Sequence, residues 1–188
     1  MKRSLFSLPF ARRRQEGVAA VEFAFTVGLF LLFLLGVIEM ARALYLWSSM
    51  IEVTRRAARG AANADFSSST QLSDVRNRAM LPIGVHPTAS NLQIEYLNAS
   101  LGTPSPMPAC PARNIAVCTA DSEAPGCVRF VRVRLCSSSA PGACSRVAYQ
   151  SVLGPGFFPP DLLQFPTFAT VSPAGTLGYV PGSDTNCN

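Results

Sequence analysis

Residues 18–38, VAAVEFAFTVGLFLLFLLGVI, are 21 positions with a single charge, Glu22. This run constrains the fold more than anything else in the chain, because as a helix it rises about 30 Å, the hydrocarbon thickness of a bilayer. A cleavable secretory signal has a shorter apolar region followed by small residues, so the run reads as a membrane span. Arg12, Arg13 and Arg14 on its N-terminal flank predict a cytoplasmic N-terminus and export of the chain beyond the span. The six cysteines agree with that orientation. Cys110, Cys118, Cys127, Cys136, Cys144 and Cys187 all lie C-terminal to the span, where an oxidising compartment favours disulfides.

The formal charge of +5 in 188 residues suggests nucleic acid until its position is considered. Five basic residues precede position 17, against Glu16 alone, and the rest of the chain has 11 basic and 10 acidic residues. The basicity belongs to the leader, which argues against a nucleic-acid partner. The helix is expected to continue past the membrane, because residues 39–64 contain no proline and are rich in Ala, Arg, Leu and Met. Leu44, Trp47 or Ser48, Ile51, Thr54 or Arg55, Ala58 and Ala61 fall near a three-four spacing, and this stripe is expected to face the exported domain, with Leu44, Trp47 and Ile51 buried against its strands. Glu39 with Arg42, and Glu52 with Arg55 and Arg56, stand at ion-pair distances along such a helix.

Glu22 needs an explanation, since a carboxylate at membrane depth costs free energy. It can snorkel toward the cytoplasmic interface. Alternatively, cleavage after Gly17 makes Val18 a new N-terminus, whose α-amino group has a reference pKa of about 7.7 to 8 and is largely cationic at neutral pH. Glu22 then lies four positions from the amine. In a packed array of such helices, the carboxylate of one subunit can neutralise the amine of the next and penalise every other axial register.

The stretch GVAAVEF has the pattern of the type IV prepilin processing site: Gly17, Val18, four residues on the glutamate Glu22, and the aromatic Phe23. Over residues 14–62 the chain resembles the TadE-like family of pilus-assembly pseudopilins, from the tight-adherence (Flp) machinery. Glu39 matches the family's second glutamate, and TRRAARGAA its arginine-alanine stretch. The resemblance implies a minor pilin or pseudopilin, cut after Gly17 by a prepilin peptidase and acting in pilus assembly, adhesion or secretion. It also implies partners: other pilins and pseudopilins, the inner-membrane assembly platform, a secretion ATPase and an outer-membrane secretin. The expected organisation is a cleaved leader over 1–17, a transmembrane helix over 18–38 in the inner membrane, its exported continuation over 39–64, and a periplasmic or extracellular Pro/Cys-rich domain over 65–188.

That domain is expected to be α+β, the long helix packing against a small antiparallel sheet. Thr70 is placed to cap a short helix over 71–81, ended by Pro82. Residues 91–97 and 128–135 alternate as strands, the second with Val131, Val133 and Leu135 on one face and Arg132 and Arg134 on the other. Arg129 breaks that parity, which predicts a bulge near Phe130. Further strands are expected at 146–152 and 167–172, and GPGFFPPDLLQFP is read as cover for the core. Cys127 and Cys136 flank a strand that holds them about 30 Å apart, so they do not pair. Cys136 with Cys144, Cys118 with Cys127 and Cys110 with Cys187 form one of 15 connectivities open to six cysteines.

No enzyme is expected. The single histidine, His86, has no nucleophile or carboxylate pattern around it, no phosphate loop is present, and the cysteine spacings do not suit zinc, so no metal or cofactor is assigned. The competing reading is an unprocessed single-pass membrane protein whose disulfide-stapled domain binds a ligand or surface.

Overall fold

The computed structural model describes residues 16–80, 87–137, 143–152, 154 and 164–182. Helix α1 (Glu16–Asn63) is continuous over 48 residues, as the absence of proline and the run of strong helix formers require. The chain divides into two compact units, Met1–Ala41 and Arg42–Asn188. The described part of the first is α1 alone, with its apolar side chains open on all sides.

The second unit is α+β. Helix α2 (Ser69–Ala79) follows α1, then a 3-10 turn (Ala89–Asn91), β1 (Leu92–Leu97), α3 (Pro111–Ala120), β2 (Phe130–Leu135) and β3 (Ala169–Pro173). The strands form an antiparallel sheet in the order β1-β2-β3. Val131, Val133 and Leu135 of β2 point into the core, and Arg132 and Arg134 point away, following the period of two. The Arg129 N–H donates to the Leu97 carbonyl at 2.8 Å, while the ladder pairs Leu97 with Phe130. Two residues thus oppose one, and Val128 and Val131 both face inward; this is the expected bulge.

The core lies between this sheet and one face of α1, and the face overlaps the expected one at Thr54, Ala58 and Ala61 but departs from it nearer the membrane. Leu46, Met50, Val53, Ala57, Ala58, Ala61 and Ala62 are buried, whereas Leu44 is 64% and Trp47 45% exposed. Of the expected large residues only Ile51 packs against the cluster, and then partly. The physical reason is the alanines. A face of small side chains lets the sheet approach the helix backbone closely, and that outweighs the bulk of Leu44 and Trp47 on the other side. Trp47 nevertheless meets Phe168 edge-on at 5.5 Å. Thr54, buried in this face, donates to the Ile51 carbonyl and accepts from the Thr170 hydroxyl at 3.0 Å, which ties β3 to α1 without leaving a buried hydroxyl unpaired.

The C-terminus of α1 is closed by the segment after β3. The N–H groups of Gly175 and Leu177 both donate to the Ala62 carbonyl, at 2.9 and 3.0 Å, serving a carbonyl that helix geometry leaves without a partner. Gly178 follows at φ +80, where a Cβ would lie 2.5 Å from the Asp65 nitrogen, so the turn admits only glycine.

Three local expectations are corrected. The N-cap of α2 is Ser68, whose side chain accepts from the Gln71 N–H, rather than Thr70, and the helix ends at Ala79. The cap moves because Ser68 takes the extended backbone of a capping residue while Thr70 is already helical. Residues 146–152 form no strand among those described; their ladder is a single bridge, Ala148 to Gln164. Helix α3 arises where only loops were expected, its Pro111 fitting the first turn, where no N–H is needed. Leu81, Pro82, His86 and most of GPGFFPPDLLQFP lie outside the described residues; of that stretch Phe165 is buried in the core.

Disulfides join Cys118 to Cys127 and Cys136 to Cys144, with Cα separations of 5.0 and 4.8 Å. Cys127 and Cys136 flank β2 and are not bonded to each other, as the strand length demanded. Cys110 is also disulfide-bonded, and Cys187 lies outside the described residues. In the chain-entropy picture, each of the two short loops adds about 2.5 kcal/mol by restricting the unfolded chain.

Candidate functional site

The proposed processing segment forms the first turns of α1. Gly17, Val18, Glu22 and Phe23 are helical, and Val18 and Glu22 share a face because they are four residues apart. Glu22 is exposed, and its backbone carbonyl accepts from the Thr26 hydroxyl at 2.8 Å. Val18, Val21, Phe23 and Phe25 are each about 70% exposed, and nothing within 4 Å would meet a Cβ at Gly17, Gly28 or Gly36. Exposing this much apolar surface to water is unfavourable at about 25 cal/mol per Å². The helix is long and apolar enough to cross a membrane.

Further along α1 the charges are engaged. Glu39 is 4% exposed, a burial that spacing alone did not reveal. Arg42 Nη1 donates to the Gln150 carbonyl at 2.7 Å and to the Tyr149 hydroxyl at 3.1 Å, with its guanidinium over the Tyr149 ring. Glu52 pairs with Arg56 at 2.8 Å and stands 3.8 Å from Arg59. The hydrogen bond from Arg56 is the main cause that holds its carboxyl below the usual range, with the nearby positive charges adding to it.

On the outer sheet face, Glu95 is gripped by Arg132, at 2.6 Å, and by Arg134. These arginines, which alternate along β2 as a basic stripe, are thus cross-strand partners of a carboxylate, while Arg129 donates to the Ser122 carbonyl. Tyr96, on the inner side of β1, has its phenol pKa raised, chiefly by burial. Among the described residues no group of three or more His, Cys, Asp or Glu is placed to hold a metal ion. Buried Asn114 in α3, for which the sequence suggested no role, accepts from the Val128 N–H at 2.8 Å and donates to the Val128 carbonyl at 3.3 Å. Its partner lies 14 residues away, a distance at which no local pattern signals a contact.

Residues 17–59 match the family model of TadE-like proteins. The match begins at Gly17 and takes in Glu22, Glu39, Glu52 and the arginines 55, 56 and 59. It covers the helical anchor, while the sheet, α2, α3 and the disulfides lie beyond it. No curated protein and no solved structure matches the chain. The stretch similar to TadE-like proteins therefore coincides with the helix that is long and apolar enough to cross a membrane.

Proposed function

We propose that the chain is a minor pilin or pseudopilin of a Tad/Flp-type pilus, cut by a prepilin peptidase after Gly17 and taking part in pilus assembly, adhesion or secretion. The observation that carries this reading is the coincidence of three features at one place. The family match starts at Gly17, the apolar run of the sequence starts at the next residue, and a lone carboxylate follows at the position that a freed amine on Val18 would need. Gly17 is the cleavage determinant, with Phe23 in the recognised segment, and Val18 and Glu22 set register between subunits. The leader faces the cytoplasm, residues 18–38 anchor the subunit in the inner membrane, and residues 39–188 are exported. The partners that fit this placement are the peptidase, neighbouring pilins or pseudopilins, the assembly platform and the lipid bilayer.

Intact-mass and N-terminal sequencing of membrane-extracted protein, with and without active peptidase, tests the proposal. A peptidase-dependent N-terminus at Val18 is expected. An intact leader under active peptidase would refute processing and leave an unprocessed single-pass protein, with its function in the disulfide-stapled domain. Independently, Glu22→Ala is expected to abolish filament incorporation while leaving cleavage and the exported fold intact.

A further inference from the structure

In the second unit the open face of α1 changes character abruptly. Leu44, Tyr45 and Trp47 are 64%, 61% and 45% exposed. One turn later the outward positions are Glu52, Arg55, Arg56 and Arg59. Water tolerates the second set and not the first, so the apolar surroundings of the helix extend to Trp47 and end before Glu52.

Helical rise agrees with that limit. The 30 residues from Val18 to Trp47 rise about 45 Å, more than the roughly 30 Å hydrocarbon core and close to the 40–45 Å bilayer with its headgroup layers. The residue types also fit, since Tyr and Trp combine an apolar ring with a polar tip and gather at membrane–water interfaces. Among the described residues, neither the Trp47 indole N–H nor the Tyr45 hydroxyl has a hydrogen-bond partner, so both are available to lipid carbonyls or headgroups. The ring of Trp47 is held edge-on by Phe168 and is a fixed anchor.

We propose that Leu44, Tyr45 and Trp47 form an interfacial belt in the outer leaflet, with the Trp47 indole at headgroup-carbonyl depth. Lipid contact then extends nine positions past residue 38, onto the folded exported unit itself. This rests on the reading of α1 as a membrane span, and the experiment separates the two.

Trp47 is the only tryptophan in the chain, so its emission reports this position alone. The full-length protein is reconstituted in phosphatidylethanolamine/phosphatidylglycerol vesicles carrying nitroxide lipids labelled at the headgroup, high on the acyl chain or deep on it. Trp47 is expected to lose most of its emission to the two shallow labels and little to the deep one, with weak quenching by aqueous acrylamide. A companion variant, Phe30→Trp with Trp47→Phe, moves the reporter to mid-span and is expected to be quenched by the deep label. Full acrylamide access to Trp47 while position 30 is quenched from within the bilayer would overturn the belt and leave the span standing. Protection from acrylamide without lipid quenching, varying with protein-to-lipid ratio, would also overturn it, by showing that a neighbouring chain covers the face. Absence of lipid quenching at both positions would remove the span and the belt together.

Discussion

Asn114→Ala removes a side chain that closes two hydrogen bonds on one residue. Asn114 and Val128 are 5% and 2% exposed, so water does not replace what is lost. The Val128 N–H, 2.8 Å from the amide oxygen, is left buried and unpaired at about 1–3 kcal/mol, and loss of the 3.3 Å bond to the Val128 carbonyl adds about 1 kcal/mol. A destabilisation of about 2–4 kcal/mol results, or about 4–16 °C in melting temperature at roughly 2–4 °C per kcal/mol for a chain of this size. The Cys118–Cys127 bridge beside it restricts the folded and the unfolded chain alike, and supplies no hydrogen bond in compensation. The assay is thermal unfolding of the detergent-solubilised full chain, followed by near-ultraviolet dichroism so that the micelle-bound helix does not mask the transition. Hydrogen exchange at the Val128 amide gives a local readout and should accelerate. Asn114→Asp keeps the acceptor but buries a charge against the Val128 carbonyl, and should be at least as damaging. A loss below about 0.5 kcal/mol in Asn114→Ala, with Val128 protection unchanged, would refute the account.

Tyr96→Phe is expected to be neutral or to stabilise by up to about 1 kcal/mol, because the buried hydroxyl finds no partner among the described residues; chemical denaturation of the pair decides it. Since burial raises the Tyr96 pKa above its unfolded value of 10.0, its contribution is intact below that pH and is lost as pH rises through the folded value; the same two proteins, unfolded across alkaline pH, should diverge from about pH 10 upward. Glu52 behaves oppositely: its lowered pKa gives stability present above the unfolded value of 4.5 and lost as pH falls through the folded one, and carboxyl NMR titration should show a depressed midpoint that returns toward normal in high salt. Ala57→Leu, at a fully buried contact on α1, should cost about 1–3 kcal/mol by overpacking in the same melting assay, whereas Leu44→Ala on the open face should leave the melting temperature nearly unchanged.

The parts of the fold most legible in sequence were those with a strong period. The alternation of Val131, Val133 and Leu135 fixed β2, the parity break at Arg129 located its bulge, and the proline-free run from Glu16 onward gave α1. The buried face of α1 was legible only at its C-terminal end, at Ala58 and Ala61; nearer the membrane hydrophobic bulk was a misleading guide, since Leu44 and Trp47 stay open while Leu46, Met50 and Ala57 make the contact. Helix α3 escaped because its ten residues sit among prolines and cysteines that read as loop, and the stabilising partner of Asn114 is the distant Val128. Gly17, Val18, Glu22 and Phe23 are proposed from a one-dimensional motif, which calls on no tertiary information. The interfacial role of Trp47 needed the structure, since the same residue would have pointed inward under the expected face.

The two bridges at the ends of β2 also determine how the exported unit behaves under load. Each joins residues eight or nine positions apart, so tension along the backbone passes through sulfur and bypasses the intervening loops. At about 3.5 Å of extended chain per residue, roughly 60 Å of contour length is unavailable to stretching. The chain enclosed by each bridge stays slack under tension, while the segment that joins α1 to β1 contains no cysteine and carries load through its own backbone. Load carried along β2 therefore falls on its pairing with β1 and β3 rather than on the chain that the two bridges enclose.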